Sequence, residues 1–556
     1  MPYRAPVSEL RFVLDHIVGF DRVAATDTFA EATPDMVEAI LTEAGKMCEE
    51  VLSPLNRAGD ITPAALENGV VRTSPGFGDG FRAIADGGWI GMSADPEYGG
   101  MGLPITLTMA VNEMIGSGCL ALQLNPLMTQ GQIEALEAHA SPEIQDLYIP
   151  KLVSGEWCGT MNLTEPQAGS DVGALKSKAE DNGDGTYAVT GQKIYISWGD
   201  NDFSENICHL VLARLPDGAE GTRGISLFMV PKWIPDADGK PGVANTLKVV
   251  SLEHKLGLHG SPTAVMQYDG ATGWLVGEPH KGMAAMFTMM NNARLGVGVQ
   301  GLSVAEAALQ HAIGYAMDRK QGKTGRDADH ILEHADVRRM VLSMKADIFA
   351  TRALAMDCAV SLDMAKATGD AAWKARGAFL TPIAKAFGTD TGIKVAGDGI
   401  QVHGGMGFVE ETGAAQFLRD VRVTAIYEGT NGIQAMDLVG RKLMDRGAAA
   451  FALLDEVEAF GNDDLTTAAT HLRKLTEWML EQDMQDRFAG AVSYLGAFAR
   501  VLGAFYHLKA AAAETTRAPL AAYAAGRMIP EAMAEMAKAR TGAAELYAVS
   551  TDVIAA

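Results

Sequence analysis

The stretch Arg419 to Gln434 holds the residues in this chain best suited to proton chemistry. It reads as an apolar approach, one carboxylate, a turn and a helix start. Val421, Val423, Ala425 and Tyr427 alternate with Arg422, Thr424 and Ile426, which predicts an extended approach. Gly429 has no Cβ, so the backbone there can pass close to a flat ligand. Thr430 is placed to cap a helix running from Asn431 to Leu443. Glu428 then sits in a bend beside apolar residues, with no Lys or Arg in its own turn. A carboxyl group buried without a partner has a raised pKa and is suited to abstracting a proton. The same local residues also fit a glutamate in a surface turn.

Other segments carry weaker signals. In Met161 to Asp171, Thr164, Ser170 and the N–H groups of a Pro/Gly turn can hydrogen-bond a polar ring edge; taken alone, the segment is a β-turn. In Gly191 to Ser197, Tyr195 and Ser197 project from the same strand face, giving an aromatic plate beside a hydroxyl, or simply half-buried strand residues. Gly296, Gly298 and Gly301 match a dinucleotide-binding pattern, but the helical run Met283 to Arg294 stands where that pattern needs a strand. Close packing of two helices is the preferred reading. Arg319 near a helix end is a cap, a surface charge or a phosphate partner. The glycines of Gln401 to Gly407 can bring N–H groups against a phosphate, and His403 between them is read as structural. No Ser/His/Asp set, HExxH motif, Walker loop or metal-type Cys/His spacing is present.

Tyr427-Glu428-Gly429-Thr430, with Gln434 beyond it, resembles the catalytic-base segment of the acyl-CoA dehydrogenase family. The other segments follow in the family's order from Met161 onward. The resemblance implies α,β-dehydrogenation of an acyl-CoA, with Glu428 removing the α-proton and FAD as cofactor. It gives Thr164 to the pyrimidine side of the flavin and Ser170 to the cofactor or the adjoining CoA. Tyr195 stands where the family commonly has Trp, and Ser197 where it has Thr near flavin N5. Arg294 matches an arginine near the active site that helps position the base, and Asn291 is placed with it on the substrate side. Arg319 matches an arginine on the FAD pyrophosphate, and Thr430 is assigned to the cofactor as well. Gln401, Gly404 and Gly405 match a loop that reaches the FAD of a neighbouring subunit, so a homodimer is expected. Gln167 departs from the small residue common there, which puts the turn shape in doubt. The pocket floor is expected around Leu124 to Met128, and electron-transfer flavoprotein is the expected electron acceptor. The extension Tyr3 to Phe20 and the extra C-terminal helices resemble the enlarged branch that contains 3-methylmercaptopropionyl-CoA dehydrogenases. A medium- or long-chain acyl-CoA dehydrogenase, an acyl-CoA oxidase and a DNA-associated alkylation-response relative are the alternatives.

The elements that must position these residues change texture along the chain. Its 556 residues exceed one core, so several units are expected. The predicted fold class is α+β, mainly α. It comprises an N-terminal extension at 1–35, a helical domain at 36–157, a middle β-barrel or sandwich at 158–281, a four-helix bundle at 282–444 and an additional helical domain at 445–556. Strands are predicted at Tyr187 to Ser197, Cys208 to Ala213, Gly224 to Val230, Thr246 to Leu252 and Ala264 to Tyr268, with Asn182-Gly183-Asp184-Gly185 as a hairpin turn. Leu465, Ala468, Ala469, Leu472, Leu475 and Met479 trace one helical face. A net charge of −23 argues against nucleic acid as partner. Five scattered cysteines argue for a reducing compartment. The N-terminus lacks a signal-type apolar core. The run Ala489 to Leu508, broken by Arg500 and His507, is read as a buried helix. A soluble cytoplasmic protein without membrane insertion is therefore expected.

Overall fold

The computed structural model describes residues 3–326 and 329–556. Two compact units emerge, one of Glu43–Leu103 and Met114–Ala293, the other of Met1–Thr42, Pro104–Glu113 and Arg294–Ala556.

The first unit contains the β domain. Its strands are β1 (Ala65–Glu67), β2 (Val70–Arg72), β3 (Trp157–Asn162), β4 (Lys178–Asp181), β5 (Tyr187–Ser197), β6 (Asn206–Arg214), β7 (Ile225–Pro231), β8 (Trp233–Pro235), β9 (Pro241–Ala244), β10 (Leu247–Leu252) and β11 (Thr263–Val276). β11 pairs with β5, β5 with β4, β4 with β6, β6 with β7, and β7 again with β11. The ring closes, so its strands need no exposed edge there. Val189, Ile196, Val211, Phe228, Val230, Met266 and Tyr268 fill its core. The turn between β4 and β5 uses Gly183 and Gly185 in left-handed conformations, φ 80° and 89°, as the glycine spacing requires. Two features depart from expectation. β3, β4, β8 and β9 lie outside the predicted set, being short or lacking β-branched alternation. The segment predicted as helical contains the β1–β2 hairpin, where Asn68 and Gly69, at φ 52° and 80°, form a tight two-residue turn.

The second unit is helical. It includes Ala335–Thr368, Ala371–His403 and the larger part of Gly282–Asp318. The glycine pattern serves helix packing, as preferred above. A Cβ on Gly298 would lie 2.6 Å from the Ala384 carbonyl oxygen, and one on Gly301 would lie 2.3 Å from that of Gly388. The predicted apolar face is buried on Asp463–Glu481. The N-terminal segment packs on Ala335–Thr368 and Met484–Ala513, burying Val13, Leu14, Ile17 and Phe20. Arg517 pairs with Glu9 at 2.9 Å and lies 3.6 Å over the Phe12 ring.

Among the described residues two helices are long and apolar enough to cross a membrane, Ile105–His139 and Met484–Ala513. Their apolar windows are 94% and 67% buried within the protein, as core helices are. All five cysteines are buried.

Candidate active site

The approach to Glu428 is not extended. Ala414–Val421 is α-helix and Arg422–Ala425 a 3-10 turn. Val421 and Thr424 are buried three residues apart while Arg422 is exposed, so packing selects the helical spacing over the two-residue alternation. Thr424 Oγ1 donates to the Val421 carbonyl at 2.7 Å, reinforcing the turn.

The chain then bends sharply. Glu428 and Gly429 are both left-handed, at φ 56° and 85°. A glutamate held there is strained unless its surroundings fix it. Gln434 Nε2 donates to the Glu428 carbonyl at 3.0 Å, and Lys385 Nζ donates to the Gly429 carbonyl at 2.9 Å. Thr430 caps the following helix, its hydroxyl oxygen accepting from the Ile433 N–H at 3.3 Å. That helix runs Asn431–Asp437 and continues as a wider turn over Leu438–Lys442.

Glu428 is half-buried, and burial pushes its carboxyl up to about 7, against the opposing charges of Arg294 and Lys385. No cation lies in its own turn, as the sequence indicated; both arrive from other helices. Arg294 is buried on Gly282–Asp318, 3.8 Å from Asp437, and its Nε has no hydrogen-bond partner among the described residues. Lys385 is fully buried on Ala371–His403. Sequence reasoning missed Lys385, although one charge within the apolar run Phe379 to Phe387 was a usable signal. The Tyr427 hydroxyl donates to Gln300 Oε1. Asn291 lies on Gly282–Asp318, its side chain outside the described residues.

In the same unit, Arg319 is exposed just past the end of Gly282–Asp318, with Nη2 donating to Gln321 at 3.0 Å. Gln401, Gly404 and Gly405 are exposed where Ala371–His403 ends. Among the described residues nothing lies within 4 Å of where a Cβ would stand on Gly404 or Gly405, leaving their backbone open to a ligand. His403 stacks on His311 and Tyr315, with ring centroids 4.8 and 4.5 Å away, and its Nδ1 bonds the Gly399 carbonyl at 2.7 Å. This is the structural role expected of it.

The β unit holds the other candidate residues. Thr164 is half-buried and Ser170 exposed on the turn after β3. The turn is braced from beneath by Glu165. Despite burial, which raises it, this carboxyl is held down to about 2 by Lys193 at 2.8 Å and by N–H groups of Lys176 and Ser177. Gln167, the departure from the family pattern, donates to Glu165 at 2.6 Å and so supports the turn. Tyr195 lies in a bulge of β5 at φ 60° and is 62% exposed. Ile196 is buried and Ser197 half-buried, so exposure still alternates past the bulge. Leu124, Leu127 and Met128, predicted for the pocket floor, are buried on Ile105–His139.

The parts thus comprise a carboxyl poised near neutrality, an exposed aromatic plate beside hydroxyls, and open glycine backbone in the same unit as an exposed guanidinium. The acyl-CoA dehydrogenase N-terminal, middle and C-terminal domain models match residues 35–156, 160–271 and 280–444. The chain is 44% identical over 506 residues to 3-methylmercaptopropionyl-CoA dehydrogenase of Ruegeria pomeroyi, covering 90% of this chain and 86% of that one. It is 34% identical to a butyryl-CoA dehydrogenase of Syntrophomonas wolfei, covering 82% and 78%. Caenorhabditis elegans ACDH-11, solved in complex with C11-CoA, superposes with TM-score 0.77 over 96% of this chain and 91% of that one, at 20% identity. The expected fold class of a helical, then β, then helical arrangement with added C-terminal helices is the one found. With three domain models in order and a relative 44% identical over nine-tenths of this chain, the chain belongs to the acyl-CoA dehydrogenase family of flavoprotein oxidoreductases, enzymes that take acyl-CoA substrates.

Proposed function

We propose that this enzyme carries out FAD-dependent α,β-dehydrogenation of a short or sulfur-containing acyl-CoA, of the 3-methylmercaptopropionyl-CoA kind, to the trans-2-enoyl-CoA. The observation that carries the reaction is Glu428, a half-buried carboxyl near pKa 7 in a strained turn. The name of the 44% identical relative supports the substrate class.

The residues fit FAD. Gly404 and Gly405 leave space that any side chain would fill, and exposed Arg319 supplies phosphate-pairing chemistry in the same unit; Gln401 and Thr430 would join them. In the β unit, Tyr195 offers a ring face, and Thr164, Ser170 and Ser197 offer hydroxyls. Bound FAD supplies the acceptor for the β-hydrogen as hydride. Glu428 takes the α-proton, which an unaided carboxylate cannot remove, so its backbone N–H is assigned to the thioester oxygen. Arg294, with Asn291 and Ser170 toward the substrate, keeps the base ionised when needed.

A homodimer is supported by Met406 and Phe408, 48% and 89% exposed beside the glycine loop. Electron-transfer flavoprotein is the proposed acceptor, and the cytoplasm the proposed compartment. Glu428→Gln should keep yellow flavin but lose flavin bleaching by acyl-CoA under anaerobic conditions; undiminished bleaching would remove Glu428 from the mechanism. A plain short-chain acyl group is the second reading, favoured by the butyryl-CoA relative. A bleaching screen across acyl-CoA lengths, including 3-methylmercaptopropionyl-CoA, separates the two.

A further inference from the structure

Lys385 is a buried ammonium whose placement packing alone does not explain. Its side chain is 0% exposed, within the apolar run Phe379 to Phe387. Burying a cation without an opposite charge in contact is costly, and a methionine would fill the same space. Its hydrogen bonds at 2.9 Å go to uncharged acceptors, the Gly429 carbonyl and Asn431 Oδ1. Both acceptors belong to the base turn. Asn431 is itself tied to the same helix, donating to Asp390 at 2.7 Å and to Thr389 at 3.0 Å. The carbonyls of the left-handed pair Glu428 and Gly429 therefore have different holders, Gln434 for the first and Lys385 for the second.

We propose that Lys385 is the positioning residue of the base turn: it fixes the Gly429–Asn431 segment so that Glu428 keeps its left-handed conformation, and its cation favours the ionised carboxylate that takes the proton. The proposal rests on the reading of Glu428 as the base. Burial lowers the Lys385 ammonium to about 8, so it remains largely charged at neutral pH, and its charge acts on Glu428 together with that of Arg294. The other charged or titratable groups around this pair include Asp390 on the Lys385 helix, Tyr427 in the turn, and Asp437, Arg441 and Lys442 beside Arg294. Asp437, 3.8 Å from Arg294, is also held by Arg441, and Lys385 makes no ion pair among the described residues, so both cations are left to act on Glu428.

The test uses the flavin-loaded enzyme with two variants. Lys385→Met removes the donors and the charge; Lys385→Gln keeps a donor and removes the charge. Circular dichroism and flavin content establish that each is folded and loaded. The Glu428 carboxyl is then titrated by carbon-13 NMR, assigned through its loss in Glu428→Gln, alongside the pH profile of flavin bleaching. Both variants should move the Glu428 midpoint upward by roughly one pH unit. Bleaching should slow about a hundredfold in Lys385→Met, less in Lys385→Gln, with little change in KM. A folded, loaded Lys385→Met with the native midpoint and rate would overturn the proposal. If Lys385→Met does not fold, the same midpoint comparison on Lys385→Gln decides it. If the native enzyme is not bleached by any acyl-CoA, the base reading fails, and the NMR midpoint still decides what Lys385 does to Glu428.

Discussion

Glu428 binds its proton more tightly in the folded chain than an unfolded glutamate does, because burial raises its carboxyl from 4.5 to about 7. The catalytic and stability consequences have opposite signs. Proton abstraction needs the carboxylate, so kcat/KM should rise with pH and level off above about 7. Stability falls over the same interval, since between 4.5 and about 7 the folded state holds a proton that the unfolded state has lost. Glu428→Gln cannot ionise. It should therefore be more stable than the native chain above about pH 7, by on the order of 1–3 kcal/mol, with the difference fading toward pH 4.5. Urea midpoints on either side of the interval check this; an equal difference at both ends would show that the carboxyl is not buried as described.

At the scale of elements, the close approach of Gly282–Asp318 and Ala371–His403 depends on glycines that have no room to grow. Gly301→Ala would place a methyl group 2.3 Å from the Gly388 carbonyl oxygen, backbone that cannot swing aside. We expect a loss of roughly 1–3 kcal/mol, although alanine is by about 1 kcal/mol the better helix former. A Cβ on Gly397, on Ala371–His403, would meet nothing within 4 Å among the described residues, so Gly397→Ala should gain about 0.5–1 kcal/mol. Chemical denaturation of the two variants gives the contrast. The approach to Glu428 teaches a related lesson. Its β-branched residues allowed an extended reading, and the burial of Val421 and Thr424 made it helical.

Across the whole molecule, the N-terminal segment is built into the helical unit through Val13, Leu14, Ile17 and Phe20, the Glu9–Arg517 pair and the Arg517 contact on Phe12. Leu14→Ala should lower stability by about 2–4 kcal/mol. Deleting residues 1–24 should expose apolar faces of Ala335–Thr368 and Met484–Ala513, seen as increased binding of a hydrophobic dye; unchanged dye binding would refute the packing role. The sequence by itself determined what is local or periodic: the bounds of strand β5, the glycine hairpin before it, the Thr430 cap, the buried face of Asp463–Glu481, and the segments carrying the family resemblance. It also marked Glu428 as a carboxyl with no cation in its own turn. Only the tertiary structure decided which cations reach that carboxyl, that Lys385 rather than a neighbouring residue holds its turn, and that the strand pairings close into a ring. The reason is physical. Caps, turns and side-chain periodicity depend on residues a few positions apart, whereas desolvation and Coulomb interactions depend on distance in space, which the fold alone sets.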